Sequence, residues 1–267
     1  MSEAVTADRV GFSYGSNQVI SDLSFEVEEG EILGIIGMNG SGKTTLLRLI
    51  AGWLEPDDGE IRVFDRSVGN LSGSERAKTI GLLSQSVEFA FDTGVLEMVL
   101  LGRSPYLGRF EEVRPHDIEV AQWAMEMTDT WEFREKPVSS LSAGERQRIL
   151  IARSIAQSTP ILLLDEPTSN LDIAHQRMVM DNISWMQKEK NTTVLFVSHD
   201  VNLTCRYADR ILLLGEGKRI AWGPGSEVLT RGNLRDTFGV DLVIEERAGR
   251  KIILEWENGE THAPWEQ

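Results

Sequence analysis

Residues 37–44 read Gly-Met-Asn-Gly-Ser-Gly-Lys-Thr. The pattern G-x-x-x-x-G-K-[ST], after an apolar run and before a helical one, belongs to a loop that wraps phosphate. Its glycines let successive backbone N–H groups point inward, and the helix that follows adds positive potential. Gly37, Met38, Asn39, Gly40, Ser41, Gly42, Lys43, Thr44 and Thr45 are therefore candidates to hold a nucleotide. Lys43 would reach the β- and γ-phosphates, and the Thr44 hydroxyl could ligate Mg2+. Residues 161–166, Ile-Leu-Leu-Leu-Asp-Glu, set two acids at the end of an apolar strand. Asp165 is placed to hold the metal and Glu166 to orient or deprotonate an attacking water. Residues 194–200, Val-Leu-Phe-Val-Ser-His-Asp, repeat the arrangement and bring His199 to the same sheet edge, within reach of the γ-phosphate. Gln85 also follows an apolar strand; it is either a solvated loop residue or a further oxygen ligand for Mg2+.

The elements that position these groups follow from pattern. Residues 32–36 are a continuous apolar run, as in a buried parallel strand. Leu46, Leu47, Leu49, Ile50 and Trp53 recur at helical spacing. Residues 95–135 read as mostly helical apart from turns at 103–108 and 114–117, and residues 173–190 as a helix. Hairpins are expected about Glu216-Gly217 and near Gly249. No repeat is evident along the chain. One stretch has no obvious target: residues 141–148, Leu-Ser-Ala-Gly-Glu-Arg-Gln-Arg, form a polar turn at the start of a helix, far in sequence from the phosphate loop.

The bulk numbers narrow the classes. A chain of 267 residues, 41% hydrophobic and 26% charged, suits one large α/β domain or two small ones. A net charge of −15 argues against a general nucleic-acid binder. The single cysteine, Cys205, excludes an internal disulfide and fits a reducing compartment. The first ten residues hold no apolar signal core, and no apolar run approaches the about 20 residues that span a bilayer, so any membrane connection is expected through a partner.

The order of phosphate loop, Gln85, Leu-Ser-Ala-Gly-Glu, strand with Asp165-Glu166, and His199 resembles the ATP-binding-cassette (ABC) ATPases over almost the whole chain. The resemblance implies an α/β P-loop NTPase core with a mainly parallel sheet, an N-terminal antiparallel β subdomain and an inserted α-helical subdomain at about 87–155. It implies an ATPase domain over 1–239 and a C-terminal β-hairpin extension over 240–267. ATP and Mg2+ would be the cofactors. Two chains would pack head-to-tail, with Ser142, Ala143, Gly144 and Glu145 closing over the partner's ATP and Asp172, in Ser-Asn-Leu-Asp at 169–172, crossing the same interface. Ala143 stands where the family's signature has a first Gly, adding a methyl to a crowded turn, and Glu145 where it has Gln. Tyr14 falls where the family stacks an aromatic ring on adenine, or is a core aromatic.

Residues 101–110 and 238–254 also resemble the ATPases of iron-siderophore, haem and cobalamin importers. That finer likeness implies a subunit at the cytoplasmic face of the membrane, docked on a permease dimer and served by an extracytoplasmic binding protein, with no nucleic-acid partner. Other importer classes, or a soluble ABC ATPase without a permease, are the alternatives. Arg103 and Tyr106, with Phe89, Phe91, Leu107 and Phe110 nearby, are expected at the permease contact.

Overall fold

The computed structural model describes residues 2–84, 93–108, 111–247 and 250–256. Gln85, Phe89, Phe91, Phe110 and Gly249 lie outside these residues. The chain opens with two long strands, β1 (Glu3–Tyr14) and β2 (Asn17–Glu28). With β4 (Asp58–Val63) and β5 (Arg66–Ser67) they make an antiparallel four-stranded sheet in the order β2-β1-β4-β5.

The second sheet carries the chemistry. Its strands are β3 (Ile32–Gly37), β6 (Ile80–Leu83), β7 (Ile161–Asp165), β8 (Thr193–Val197), β9 (Arg210–Gly215) and β10 (Lys218–Pro224), in the order β10-β9-β3-β8-β7-β6. Every pairing is parallel except that of edge strand β10 with β9. β3, β7 and β8 are buried along their whole length, which is why they read as unbroken apolar runs. Because these three are sheet neighbours, the loops leaving their carboxyl ends meet at one edge.

Helices cover both faces. α1 (Lys43–Ile50) packs on one side with the antiparallel sheet, in a core that includes Leu46, Leu47, Phe25, Leu163 and Leu195. On the other side α3 (Val95–Leu100), α4 (Pro115–Met127), α5 (Ala143–Ala156) and α6 (Ile173–Lys190) share a second core around Val99, Ala121, Ile149, Met180 and Phe196. A short α2 (Gly73–Thr79) precedes β6 and buries no residue. α7 (Val201–Tyr207) follows β8, while α8 (Gly225–Val228) and α9 (Arg231–Phe238) flank β9. The strands β11 (Leu242–Arg247) and β12 (Arg250–Trp256) form the expected antiparallel pair. The Asn202 carboxamide on α7 fastens it by bonding both the N–H and the C=O of Ile253, each at 2.8 Å.

Two local expectations are corrected. The helical spacing that included Trp53 stops early: α1 ends at Ile50, Gly52 turns the chain at φ 68°, and Trp53 is 62% exposed. Residues 103–108, expected as a turn with Arg103 facing a partner, lie mostly within a 3-10 helix, Leu101–Tyr106, whose Arg103 points inward. Its Nε donates to Asp117 Oδ1 at 2.9 Å and its Nη1 to the Ala156 carbonyl at 2.8 Å, with both side chains about nine-tenths or more buried. Burial works against the Asp117 charge, but the hydrogen bonds from Arg103 and from the Arg114 N–H, with both guanidinium charges, hold its carboxyl below the usual range. Arg103 ties α4 to the end of α5; it is a structural residue, not a docking one.

Candidate nucleotide site

α1 differs from the other helices of the sheet edge in how it begins. α5, α6 and α7 each satisfy a first-turn N–H with their own side chain, from Ser142, Asp172 and Asp200. α1 has Gly42 at that position, with no side-chain cap, at φ 97°. A Cβ there would also stand a tight 3.0 Å from the Val19 carbonyl, adding to the strain that the left-handed backbone imposes on any other residue. The uncapped N–H groups open into a cavity of about 710 Å3 lined by Tyr14, Asn17, Val19, Asn39, Gly40, Gly42, Lys43, Thr44, Thr45, Glu166 and His199. Such a helix start, inside a cavity, suits an anion.

The charged groups of this cavity are held by burial and by one another. Lys43 folds back on the loop, its Nζ donating to the carbonyls of Gly37 and Met38 at 2.8 Å each. Burial lowers its pKa, while the Glu166 and Asp165 charges pull it back up. Asp165 is almost wholly buried. Burial pushes its carboxyl up; Thr44, through a hydrogen bond, and the Arg48 and Lys43 charges oppose the rise, and the Glu166 charge adds to it. Asp165 Oδ1 and Ser41 Oγ have no hydrogen-bond partner among the described residues. A buried carboxylate oxygen left unpaired beside a threonine hydroxyl is the donor set of a hard cation. Glu166 sits at φ 51° and its Oε1 lies 2.5 Å from His199 Nε2, so the loops after β7 and β8 are joined. Tyr14 is 45% exposed at the mouth and packs edge-on against Phe12 at 4.9 Å. A face of its ring is thus available to a flat ligand.

The signature turn lies elsewhere. Ser142, Ala143, Gly144 and Glu145 line a second cavity of about 540 Å3 with Arg148, Asn170, Leu171, Asp172 and His175. It shares no lining residue with the first. Within the protomer Ala143 is exposed and uncrowded. The crowded position is Gly144, where a Cβ would stand 2.9 Å from the Asn170 carbonyl. Asp172 caps α6 through the His175 N–H at 2.9 Å and also meets the His175 ring, Nδ1 to Oδ2, at 2.9 Å. Sequence reasoning missed Asn17 and Val19 in the first cavity and His175 in the second. Nothing in a lone residue at the start of a strand or of a helix marks it for a site.

Residues 20–169, over half the chain, match the family model described as ABC transporter. The chain belongs to the ABC transporter family. It is 36% identical over 259 residues to the ferric enterobactin transport ATP-binding protein FepC of Escherichia coli (strain K12), covering 95% of this chain and 96% of that one. A solved structure described as a metal-chelate-type ABC transporter in an inward-facing conformation superposes with a TM-score of 0.82 at 32% identity, over 96% of this chain and 98% of the other. A dimeric ATP-binding cassette in a post-hydrolysis state with ADP and phosphate superposes with a TM-score of 0.75 at 27% identity, over 82% of this chain and 98% of the other. This ABC protein is an ATP-binding ATPase of the kind that powers transport, with the fold of that family: a mostly parallel sheet, an antiparallel β subdomain and a helical subdomain. No helix among the described residues is long and apolar enough to cross a membrane.

Proposed function

We propose that this chain is the ATPase subunit of an importer for a metal chelate, an iron-siderophore, haem or cobalamin, and that it works as a head-to-tail dimer beneath a membrane permease. The observation that carries the dimer is the division into two cavities. Lys43, Glu166 and His199 line one, and Ser142, Gly144 and Asp172 the other. A signature turn turned away from its own phosphate loop finds its target in the nucleotide of a second copy. The dimeric cassette with ADP and phosphate supports the same assembly. The metal-chelate description of one solved structure and the ferric enterobactin transport protein support the cargo class.

In this reading the loop at 37–44 and the start of α1 hold the ATP phosphates, and Tyr14 stacks on adenine. Lys43 leaves its two carbonyls to meet the β- and γ-phosphates. Glu166 orients the attacking water and takes its proton as the water oxygen bonds to the γ-phosphorus and ADP leaves. His199, already against Glu166, holds that carboxylate beside the γ-phosphate. Mg2+, when bound, neutralises phosphate charge, and Thr44 and Asp165 would hold it, with Gln85 a further ligand. Among the described residues no cluster of three His, Cys, Asp or Glu side chains could hold a metal, so the cation would take other ligands from phosphate and water.

Residues 1–239 are assigned to the ATPase domain, with the helical subdomain inserted at about 87–155, and 240–267 to the hairpin extension. A groove of about 610 Å3 between the two parts of the domain is lined by Trp53, Leu101, Pro105, Arg76 and Arg153 among others. Trp53 and Leu101 are 62% and 55% exposed there. An apolar floor with two guanidinium groups suits a short helix of the permease. The subunit would then sit peripherally on the cytoplasmic face, while an extracytoplasmic binding protein delivers cargo to the permease. Mixing two inactive variants tests the assembly. Lys43→Ala should lose nucleotide binding, Ser142→Arg should keep it, and each alone should lose hydrolysis. Their mixture should recover activity from one site per dimer. Normal hydrolysis by Ser142→Arg alone would remove the head-to-tail reading.

A further inference from the structure

Gln147 lies one turn into α5, three residues after Gly144, and is 8% exposed. Its Nε2 stands 3.3 Å from the backbone carbonyl of Glu166 and 3.3 Å from that of Pro167. Both carbonyls belong to the turn that presents the Glu166 carboxylate. That turn is an unfavourable one for a side-chain-bearing residue: Glu166 has φ 51°, in the left-handed region. Three other backbone contacts define it. The Glu166 N–H donates to the Val197 carbonyl at 3.2 Å, the Ser169 N–H returns to the Glu166 carbonyl at 3.1 Å, and the Asn170 carbonyl closes on Gly144. The first two turns of α5 thus touch the 166–170 segment twice, at Gly144 by close backbone approach and at Gln147 by a side-chain donor.

We propose that Gln147 is a positioning residue: it holds the turn that aims Glu166 and fastens that turn to the signature loop of the same chain. This rests on the role proposed above for Glu166. The chemistry is specific, because two carbonyl oxygens converge on one amide nitrogen. Only a donor satisfies them, and an acceptor in the same place repels both. With the amide in place, a shift of the signature turn is transmitted to the Glu166 turn. Closure of the signature over a partner's nucleotide and alignment of the local carboxylate are therefore mechanically joined.

The test is a substitution series in the full-length protein, alone and combined with Glu166→Gln. Gln147→Glu keeps the shape and replaces the donor by an acceptor; Gln147→Met keeps the length and removes polarity; Gln147→Lys restores a donor. Glu and Met should lower kcat about tenfold, and Lys should recover most of the loss, with ATP affinity within about twofold throughout. In the Glu166→Gln background the same changes should alter the residual single-turnover rate less than about twofold, because the amide acts through that carboxylate. A loss that persists undiminished in that background, or one that appears equally in ATP affinity, overturns the proposal. If Gln147→Glu does not fold, Gln147→Met carries the same cycle. Near-normal hydrolysis by Glu166→Gln with intact ATP binding removes the reading of Glu166 itself. A normal kcat in Gln147→Glu beside an inactive Glu166→Gln overturns the inference about Gln147 alone.

Discussion

Residues 68–76 read Val-Gly-Asn-Leu-Ser-Gly-Ser-Glu-Arg and residues 138–146 read Val-Ser-Ser-Leu-Ser-Ala-Gly-Glu-Arg. Both stretches begin with a short 3-10 turn, bury a leucine (Leu71, Leu141) and start a helix with a serine cap. Both close the same capping box. Ser72 N–H donates to Glu75 Oε2 at 2.9 Å and Ser142 N–H to Glu145 Oε2 at 2.7 Å, and in each the glutamate N–H returns to the serine hydroxyl at 3.3 Å. The difference is what stands opposite. α2 is seven residues long, buries nothing and has open space around Gly73. α5 is fourteen residues long, buries most of its residues, and sets Gly144 against the Asn170 carbonyl. The shared capping chemistry makes a helix start; the packing behind it makes a signature turn.

The largest expected contrast is an arginine placed at each cap. Ser142→Arg should reduce hydrolysis by at least about 10²-fold, through charge and bulk where the partner's nucleotide would dock. Ser72→Arg should leave steady-state ATPase activity of the purified subunit within about threefold, since it removes only an exposed cap. Equal losses in the two variants would mean that both starts serve the same purpose.

Next come the glycines, which the two stretches carry one position apart. Gly144→Ala places a Cβ 2.9 Å from a backbone carbonyl that cannot rotate away. It should destabilise the fold by about 1–3 kcal/mol and depress turnover with it. Gly73→Ala meets nothing within 4 Å and should be neutral or stabilise by up to about 1 kcal/mol through the unfolded state. Thermal melts of both variants decide this. A neutral Gly144→Ala would show that the 166–172 segment yields easily and is not braced by α5.

How much of this was legible follows from the same pair. The phosphate loop, the acids at the end of β7 and His199 could be placed because wholly buried strands read as apolar runs and end at a common sheet edge. The near-repeat does not stand out in the sequence because a capping box is a pattern of only four residues, found at many helix starts. Arg103 differs from its sequence expectation for a physical reason: a charged residue beside Tyr106 and Pro105 reads as surface, and only the fold supplies Asp117 and the Ala156 carbonyl to bury it against. Gln147 was invisible because its two acceptors are backbone carbonyls, which sequence cannot locate.

A smaller effect tests whether the boxes are equivalent as caps. Ser72→Ala and Ser142→Ala each remove one hydroxyl acceptor from an exposed helix start. Each should lower stability by about 1 kcal/mol, read from denaturant midpoints at unchanged m-value. The local geometries match, so the two losses should agree within about 0.5 kcal/mol. A much larger loss at Ser142 would mean that the cap also supports the packing of Gly144.

The smallest effect lies in the glutamates of the two boxes. Both carboxyls are held below the ordinary range, first by the serine hydroxyl and then by the serine N–H. Glu75 has in addition a 2.9 Å hydrogen bond from Arg66 and is pulled from 4.5 to about 2. For Glu145, beyond its serine, burial works against the charge and the Lys136 and Arg148 charges favour it, with no such arginine bond among the described residues. A carboxyl whose pKa is depressed on folding binds its proton less tightly in the native state. Its contribution is therefore present above the unfolded value and is lost as pH falls through the folded one. For Glu75 that window runs from about 4.5 down to about 2. Melting temperatures measured between pH 6 and pH 2.5 should decline less steeply in Glu75→Gln than in the wild type, and Glu145→Gln should flatten the curve less. The difference should shrink in high salt, which screens the exposed Arg66 pair and leaves the serine hydrogen bonds intact. If Glu145→Gln flattens the curve more than Glu75→Gln does, the signature-turn carboxylate is held by something beyond its own box, and the two helix starts differ electrostatically as well as in their packing.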